Sequence, residues 1–156
     1  MRHHVTKVLP YRPEDLFALV GDVEAYPEFV PWLVSMRTWN KRTVEPGVDL
    51  LDAEAGVGFA FLKERFSTRV RRDARALRVD VNLLSGPFRK LENTWRFEST
   101  PDGGTRVVFD IDFVFKSRVL EALLATNFQS AVERLMTCFD ERARALYSGA
   151  EHGASA

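Results

Sequence analysis

Much of what this 156-residue chain could do is excluded by what it lacks. It has one cysteine, Cys138, so no internal disulfide can form, and the composition fits a reducing compartment. Histidine occurs only at His3, His4 and His152, near the two ends, so the body of the chain offers none as general base or metal ligand. His3 and His4 have no third histidine or cysteine close in sequence, and no metal site is expected there. No apolar run approaches the roughly 18 residues of a membrane span, and Met1 to Pro10 lacks the charged-then-apolar layout of a secretory signal. Net charge is absent too: 22 Lys and Arg balance 22 Asp and Glu, so no global field draws nucleic acid or anionic lipid. Nothing matches a catalytic triad, a glycine-rich phosphate loop or a cysteine-based metal motif.

What is present is apolar and periodic. From Ser117 to about Tyr147, apolar residues recur in steps of three and four: Leu120, Leu123, Leu124, Phe128, Ala131, Val132, Leu135, Met136, Phe139, Ala143 and Leu146. That spacing predicts one long amphipathic helix, with Ser117 as N-cap and no proline or glycine to interrupt it. Cys138, between Leu135 and Phe139 and without a cationic neighbour, reads as a packing residue rather than a nucleophile. A first strand is expected over residues 3–9. A short helix follows from Pro13, with Glu14 and Asp15 in its first turn and Gly21 at its end. Asp22 is then placed to cap a second short helix through Tyr26. From Trp32 onward strand follows strand, the cleanest being Val107, Phe109, Ile111, Phe113 and Phe115 alternating with polar residues. The sum is an α+β fold: a curved antiparallel sheet, apolar on one face and wet on the other, gripping the long C-terminal helix. Residues 1–148 would form one domain, and the small, polar residues 149–156 a disordered tail.

Few side chains suggest chemistry. Glu64 keeps step with Leu62, Phe66, Thr68 and Val70, so it either points inward as a perturbed carboxylate or sits on a bulge and pairs with an arginine. Lys63, Arg65, Arg69 and Arg71 share a strand face, with Arg72, Arg75 and Arg78 nearby. They serve either as cross-strand ion pairs, with Glu92 and Glu98 as partners, or as a stripe for phosphate or anionic headgroups. The aromatic load weighs more. Twelve phenylalanines and three tryptophans are many for this length, and a helix over a concave sheet leaves an elongated apolar space suited to a greasy ligand. The segment Leu83-Leu84-Ser85-Gly86-Pro87-Phe88 sets apolar residues around an exposed turn, as a lid or a membrane foot would.

Several segments resemble the coenzyme Q-binding, RatA-type family of the START/polyketide-cyclase (Bet v 1-like) superfamily, over roughly residues 3–147. They are Leu16-Phe17-Ala18-Leu19-Val20-Gly21-Asp22-Val23, Tyr26-Pro27-Glu28-Phe29-Val30-Pro31-Trp32, Gly86-Pro87-Phe88-Arg89-Lys90-Leu91, Trp95-Arg96-Phe97 and Phe139 to Tyr147. Arg12 departs from the family, which usually has a small capping residue before Pro13. The resemblance implies a helix-grip fold with a hydrophobic tunnel, a polyprenyl quinone such as ubiquinone as bound ligand, and no cofactor beyond it. It implies a carrier or chaperone role in respiration and ubiquinone biosynthesis rather than catalysis. Sister readings are a toxin-like factor on the large ribosomal subunit and a cyclase-like enzyme using the same cavity. On this reading Trp32, Phe66, Trp95, Phe113, Phe115, Phe128 and Met136 line the tunnel, and Leu83, Leu84 and Phe88 form its mouth or touch a membrane. Expected partners are a polyprenyl lipid, a membrane surface and the ribosome, but not DNA. The expected location is the cytoplasm, including the inner face of a bacterial inner membrane, or the mitochondrial matrix side in a eukaryote.

Overall fold

Alternation of apolar and polar residues becomes seven strands in one antiparallel sheet, ordered β1-β7-β6-β5-β4-β3-β2. The strands are β1 (Arg2–Leu9), β2 (Leu33–Glu45), β3 (Val48–Phe59), β4 (Leu62–Asp73), β5 (Arg78–Ser85), β6 (Phe88–Ser99) and β7 (Thr105–Phe115). Helix α1 (Pro13–Gly21) and a 3₁₀ helix (Val23–Glu28) join β1 to β2, and α2 (Arg118–Ala125) and α3 (Phe128–Ser155) end the chain. The structure is a computed structural model describing residues 1–59 and 62–155, with residues 59, 62 and 149–155 described in backbone only. The backbone of α3 thus continues through the segment expected as a tail, whose side chains lie outside the described residues.

Register defines two faces. One row runs Val5, Phe109, Trp95, Val79; the next runs His3, Ile111, Asn93, Val81, Val70, Leu51; a third joins Leu83, Thr68 and Ala53. These rows form the face that α1 and α3 cover. Leu16, Leu19 and Val20 of α1 and Val132, Met136, Phe139 and Ala143 of α3 are buried against Trp95, Phe97, Val107 and Phe109. Two glycines make the turns possible. Gly47, after Pro46, holds φ +81° between β2 and β3, and a Cβ there would meet Arg75 Cγ at 2.8 Å. Gly86 holds φ +146°, and a Cβ on it would lie 2.5 Å from Phe66 Cβ.

The outer face resolves the arginine stripe. Arg69 donates to Asp52 at 2.9 Å and 3.3 Å, and Asn40, itself at φ 56°, adds a 3.2 Å hydrogen bond to the same carboxylate. Arg71 pairs with Asp73 and Arg78 with Asp80. The partners are therefore aspartates of the same or neighbouring strands, not Glu92 and Glu98. Arg72 instead turns to the inner face, grips Asp49 and donates to the Gly21 carbonyl at 2.9 Å, tying the end of α1 to the sheet.

Local capping follows the sequence in part. Ser117 Oγ accepts the Leu120 N–H at 3.2 Å, whereas neither Arg12 nor Asp22 caps with its side chain. Where the apolar stripe predicts one helix, the structure has two. At the junction the Thr126 hydroxyl donates to the Leu123 carbonyl, and the Asn127 N–H goes to Leu124, three residues back. Both interactions tighten the turn and compete with the helical ladder, so the break needs neither proline nor glycine.

Two consequences can be measured. Arg69 first, then Asn40, holds the Asp52 carboxyl below the usual carboxylate range, against the opposing effect of burial. Hydrogen bonds from the Asp73 side chain to the Ala76 and Arg75 N–H groups do the same there. Groups with depressed native pKa stabilise the fold above the unfolded value, about pH 4, and that contribution is lost as pH falls through the native one. Asp52→Asn should cost about 1–3 kcal/mol at neutral pH in urea unfolding and flatten the decline in stability below about pH 4. Phe139→Ala should cost about 3–5 kcal/mol in the same assay.

Candidate functional site

The space between sheet and helices has two parts. Around Trp95 it is filled: Phe97 lies parallel to the Trp95 ring, while Phe109 meets it edge to face at 4.7 Å and Phe139 tilted at 4.9 Å. The void left there, lined by Leu9, Leu16, Trp95, Met136 and Phe139 among others, is about 20 Å³. That is room on the scale of about one water molecule, far too little for a lipid tail. Toward the opposite end the aromatic rings continue without a full cover. Phe66 meets Phe88 at 5.3 Å, Phe88 stacks on Phe115 at 4.7 Å, Phe115 meets Phe113 at 5.3 Å, and Phe113 meets Phe128 at 4.8 Å. Of these, only Phe113 is buried. Helix α2 lies beside β7 at this end and buries none of its own residues.

The residues expected to line a tunnel therefore separate. Phe66, Phe113, Phe115 and Phe128 gather at the open end, while Trp95 and Met136 belong to the filled part. Trp32 is half-buried and lies under Arg134, whose guanidinium is 5.7 Å from the ring centre. Arg142, about two turns further along α3, stacks on Phe29 at 5.2 Å and reaches Glu28. The Tyr-Pro-x-Phe-x-Pro-Trp segment thus serves as a clasp on α3 through cation–π contacts. The turn residues expected at a mouth also divide. Leu83 faces inward beside Thr68, Phe88 sits within the ring cluster, and Leu84 is exposed on the other face of β5.

Polar groups on the inner face are few. Glu64 shares that face with Phe66 and Thr68, opposite Val57, in a β3–β4 register that runs past it without a bulge. It is partly exposed and has no ion pair among the described residues, so the inward reading is the one the structure adopts. His3 also lies inside, its ring edge-on to Phe128 at 5.6 Å, while His4 faces out to Asp110. Period two in step with Val5 and Lys7 is the signal that could have placed His3. Asn93 accepts a hydrogen bond from the Trp95 indole at 3.0 Å and donates to the Asp110 carbonyl. On β7, the Phe115 N–H is taken by the Glu121 carboxylate at 2.9 Å, the link that holds α2 down. Burial first, and the Glu141 carboxylate second, push the Cys138 thiol up, away from the thiolate. Among the described residues no three His, Cys, Asp or Glu side chains converge as metal ligands would.

A family model for polyketide cyclase / dehydrase and lipid transport proteins matches residues 9–140. The ribosome association toxin RatA of Rickettsia prowazekii is 35% identical over 144 residues, covering 89% of this chain and 93% of that protein. The mitochondrial coenzyme Q-binding protein coq10 of Schizosaccharomyces pombe is 31% identical over 120 residues, covering 75% and 71% respectively. The solution structure of an 18 kDa protein from Caulobacter crescentus is 56% identical, with a TM-score of 0.80 and coverage of 95% and 99%. The sheet curled over a C-terminal helix is the helix-grip, START/Bet v 1-like arrangement of these proteins. On the span of the family model and the extent of its relatives, this chain belongs to the polyketide cyclase / dehydrase and lipid transport family.

Proposed function

We propose that this protein binds a hydrophobic isoprenoid lipid, a polyprenyl quinone of the ubiquinone type, at the open end of the grip and carries or presents it. The observation that carries the reading is the half-covered phenylalanine cluster beside an α2 that buries nothing of its own. Apolar rings left partly in water are costly, at about 25 cal/mol per Å² of exposed apolar surface, and an isoprenoid tail laid across them removes that cost. Each methylene of the tail transferred from water is worth about 0.8 kcal/mol. A bilayer offers the tail nearly the same environment, so net preference for the protein is modest, as release requires. Glu64, His3 and Asn93 are the inner-face polar groups available to a quinone headgroup. The coenzyme Q-binding name of the fission yeast relative supports the ligand class. No cofactor besides the lipid is required, and the protein would act at the cytoplasmic face of a bacterial inner membrane or on the matrix side in mitochondria. None of the described helices is long and apolar enough to cross a membrane.

A second reading, association with the large ribosomal subunit, is favoured by the names of the RatA relatives. It needs no ligand in the cleft. A cyclase-like enzyme is the third; it rests on Glu64 alone.

Organic extraction of the protein purified from its host, followed by mass spectrometry, should yield a polyprenyl quinone. Leu83→Arg, which sets a charge on the inner face, should lower the yield about tenfold or more. A lipid-free wild type that co-sediments with ribosomal subunits would replace the carrier by the second reading. Glu64→Gln should retain the bound lipid within about twofold, the scale of a single exposed polar contact, and loss of a measurable turnover in this variant would restore the enzyme.

A further inference from the structure

The open end of the grip carries a second feature, on its outside. Along α2 the residues that face away from the sheet are Val119, Ala122 and Leu123, a stripe at helical spacing. Val119 is 69% exposed and Leu123 45%. Leu120 and Leu124, on the inner side of α2, are already half-covered, so the outer stripe is a separate apolar face. Leu84, 42% exposed, is a separate apolar side chain on the outer face at the end of β5.

Cations lie at the same end of the sheet. Lys116 and Arg118 flank the Ser117 cap at the start of α2. The Lys116 N–H donates to the Pro87 carbonyl at 2.8 Å, which places the β5–β6 turn and Arg89 at the same end. A Cβ on Gly86 in that turn would be 3.5 Å from the Arg65 carbonyl, which brings in Lys63 and Arg65 of β4. All of Lys63, Arg65, Arg89, Lys116 and Arg118 are exposed, and none forms an ion pair among the described residues. Most carboxylates nearby are engaged or turned inward: Glu121 accepts the Phe115 N–H, Asp112 is held by Lys90, and Glu64 faces the cleft, leaving Glu92, opposite Asp112 and acting on Lys90, as the exposed one. In a chain of zero formal charge, this is a local positive rim of five cations without ion-pair partners among the described residues.

We propose that this end is a docking surface for an anionic lipid bilayer, with the outer stripe of α2 entering the headgroup boundary and the cationic rim meeting the lipid phosphates. Charge complementarity and the apolar stripe together select this occupant. A polyanion such as RNA would use the rim and leave Val119 and Leu123 in water, whereas a bilayer surface takes both. Eight residues is too short to span, so α2 lies in the plane of the surface. Docking goes beyond the ligand reading, because none of these side chains lines the cleft.

Flotation of the full chain with vesicles tests it. The protein should float with mixed phosphatidylglycerol–phosphatidylcholine vesicles, remain behind with pure phosphatidylcholine, and be released by salt. Lys116→Gln with Arg118→Gln should lower vesicle affinity about fivefold for each cation removed. Val119→Ser with Leu123→Ser should lower it without lessening the salt dependence. All four side chains are exposed, so the urea midpoint should stay unchanged in both variants. Absence of flotation by the wild type, or equal flotation by both variants, overturns the inference. So does loss of ribosome co-sedimentation in variants that still float, which would assign the rim to RNA. Extraction is read separately: a wild type that floats but yields no quinone keeps the docking surface and removes the carrier.

Discussion

Phe139 is the contact on which the two layers depend. Its ring meets Tyr26 at 5.2 Å, Phe29 at 5.1 Å and Trp95 at 4.9 Å, so one side chain of α3 touches the 3₁₀ helix, the clasp segment and the sheet at once. The Tyr26 hydroxyl in turn donates to the Val20 carbonyl near the end of α1, and desolvation pushes that phenol well above its ordinary pKa. Tyr147 extends the same attachment by donating to the Asp15 carbonyl at 2.9 Å. With α3 held this firmly through its middle, α2 does not have to contribute to the core, and it does not. A stable half and an unanchored half of one nominal helix follow from where the aromatic contacts fall.

The outer face works by a different economy. Arg69, Arg71 and Arg78 each have an aspartate within reach, and Asp52, almost fully buried, takes both Arg69 and Asn40. Pairing cancels charge across the centre of the sheet and leaves it uncancelled at the end where β4 begins and β7 finishes. Balanced composition therefore coexists with an unbalanced surface, a distinction that a sum over the sequence cannot make.

Alternation made the strands legible, and β7 most of all, because Phe109, Phe113 and Phe115 mark one face without exception. It also carried the inward direction of Glu64. What alternation encodes is the face of the sheet, not the position along the groove. Trp95 and Phe115 share a face, yet one is sealed in the filled part and the other is partly open, and only the strand register separates them. The break at Thr126 and Asn127 was hidden for a related reason: both residues are tolerated in helices, and their side-chain competition for backbone partners shows only once the turn exists. Leu123 and Leu146 fit the apolar stripe but are each 45% exposed: the break after α2 turns Leu123 away from the sheet, and α3 has passed the edge of its contacts by Leu146. The clasp of Arg134 and Arg142 over Trp32 and Phe29 joins segments a hundred residues apart, beyond any local pattern.

The strand order has one more implication. β1 and β2 follow each other in sequence but stand at opposite edges of the sheet, so α1 and the 3₁₀ helix must cross its whole width to connect them. That crossing plugs one end of the groove with Leu16, Leu19, Val20 and Val23. Among the described residues the phenylalanine end of the groove is then the open one, and the α1 end keeps only a separate cleft of about 340 Å³ lined by Phe17, Gly21, Asp49 and Arg72. A lipid bound as proposed would enter and leave by the phenylalanine end, and whichever part went in first would be the last to come out.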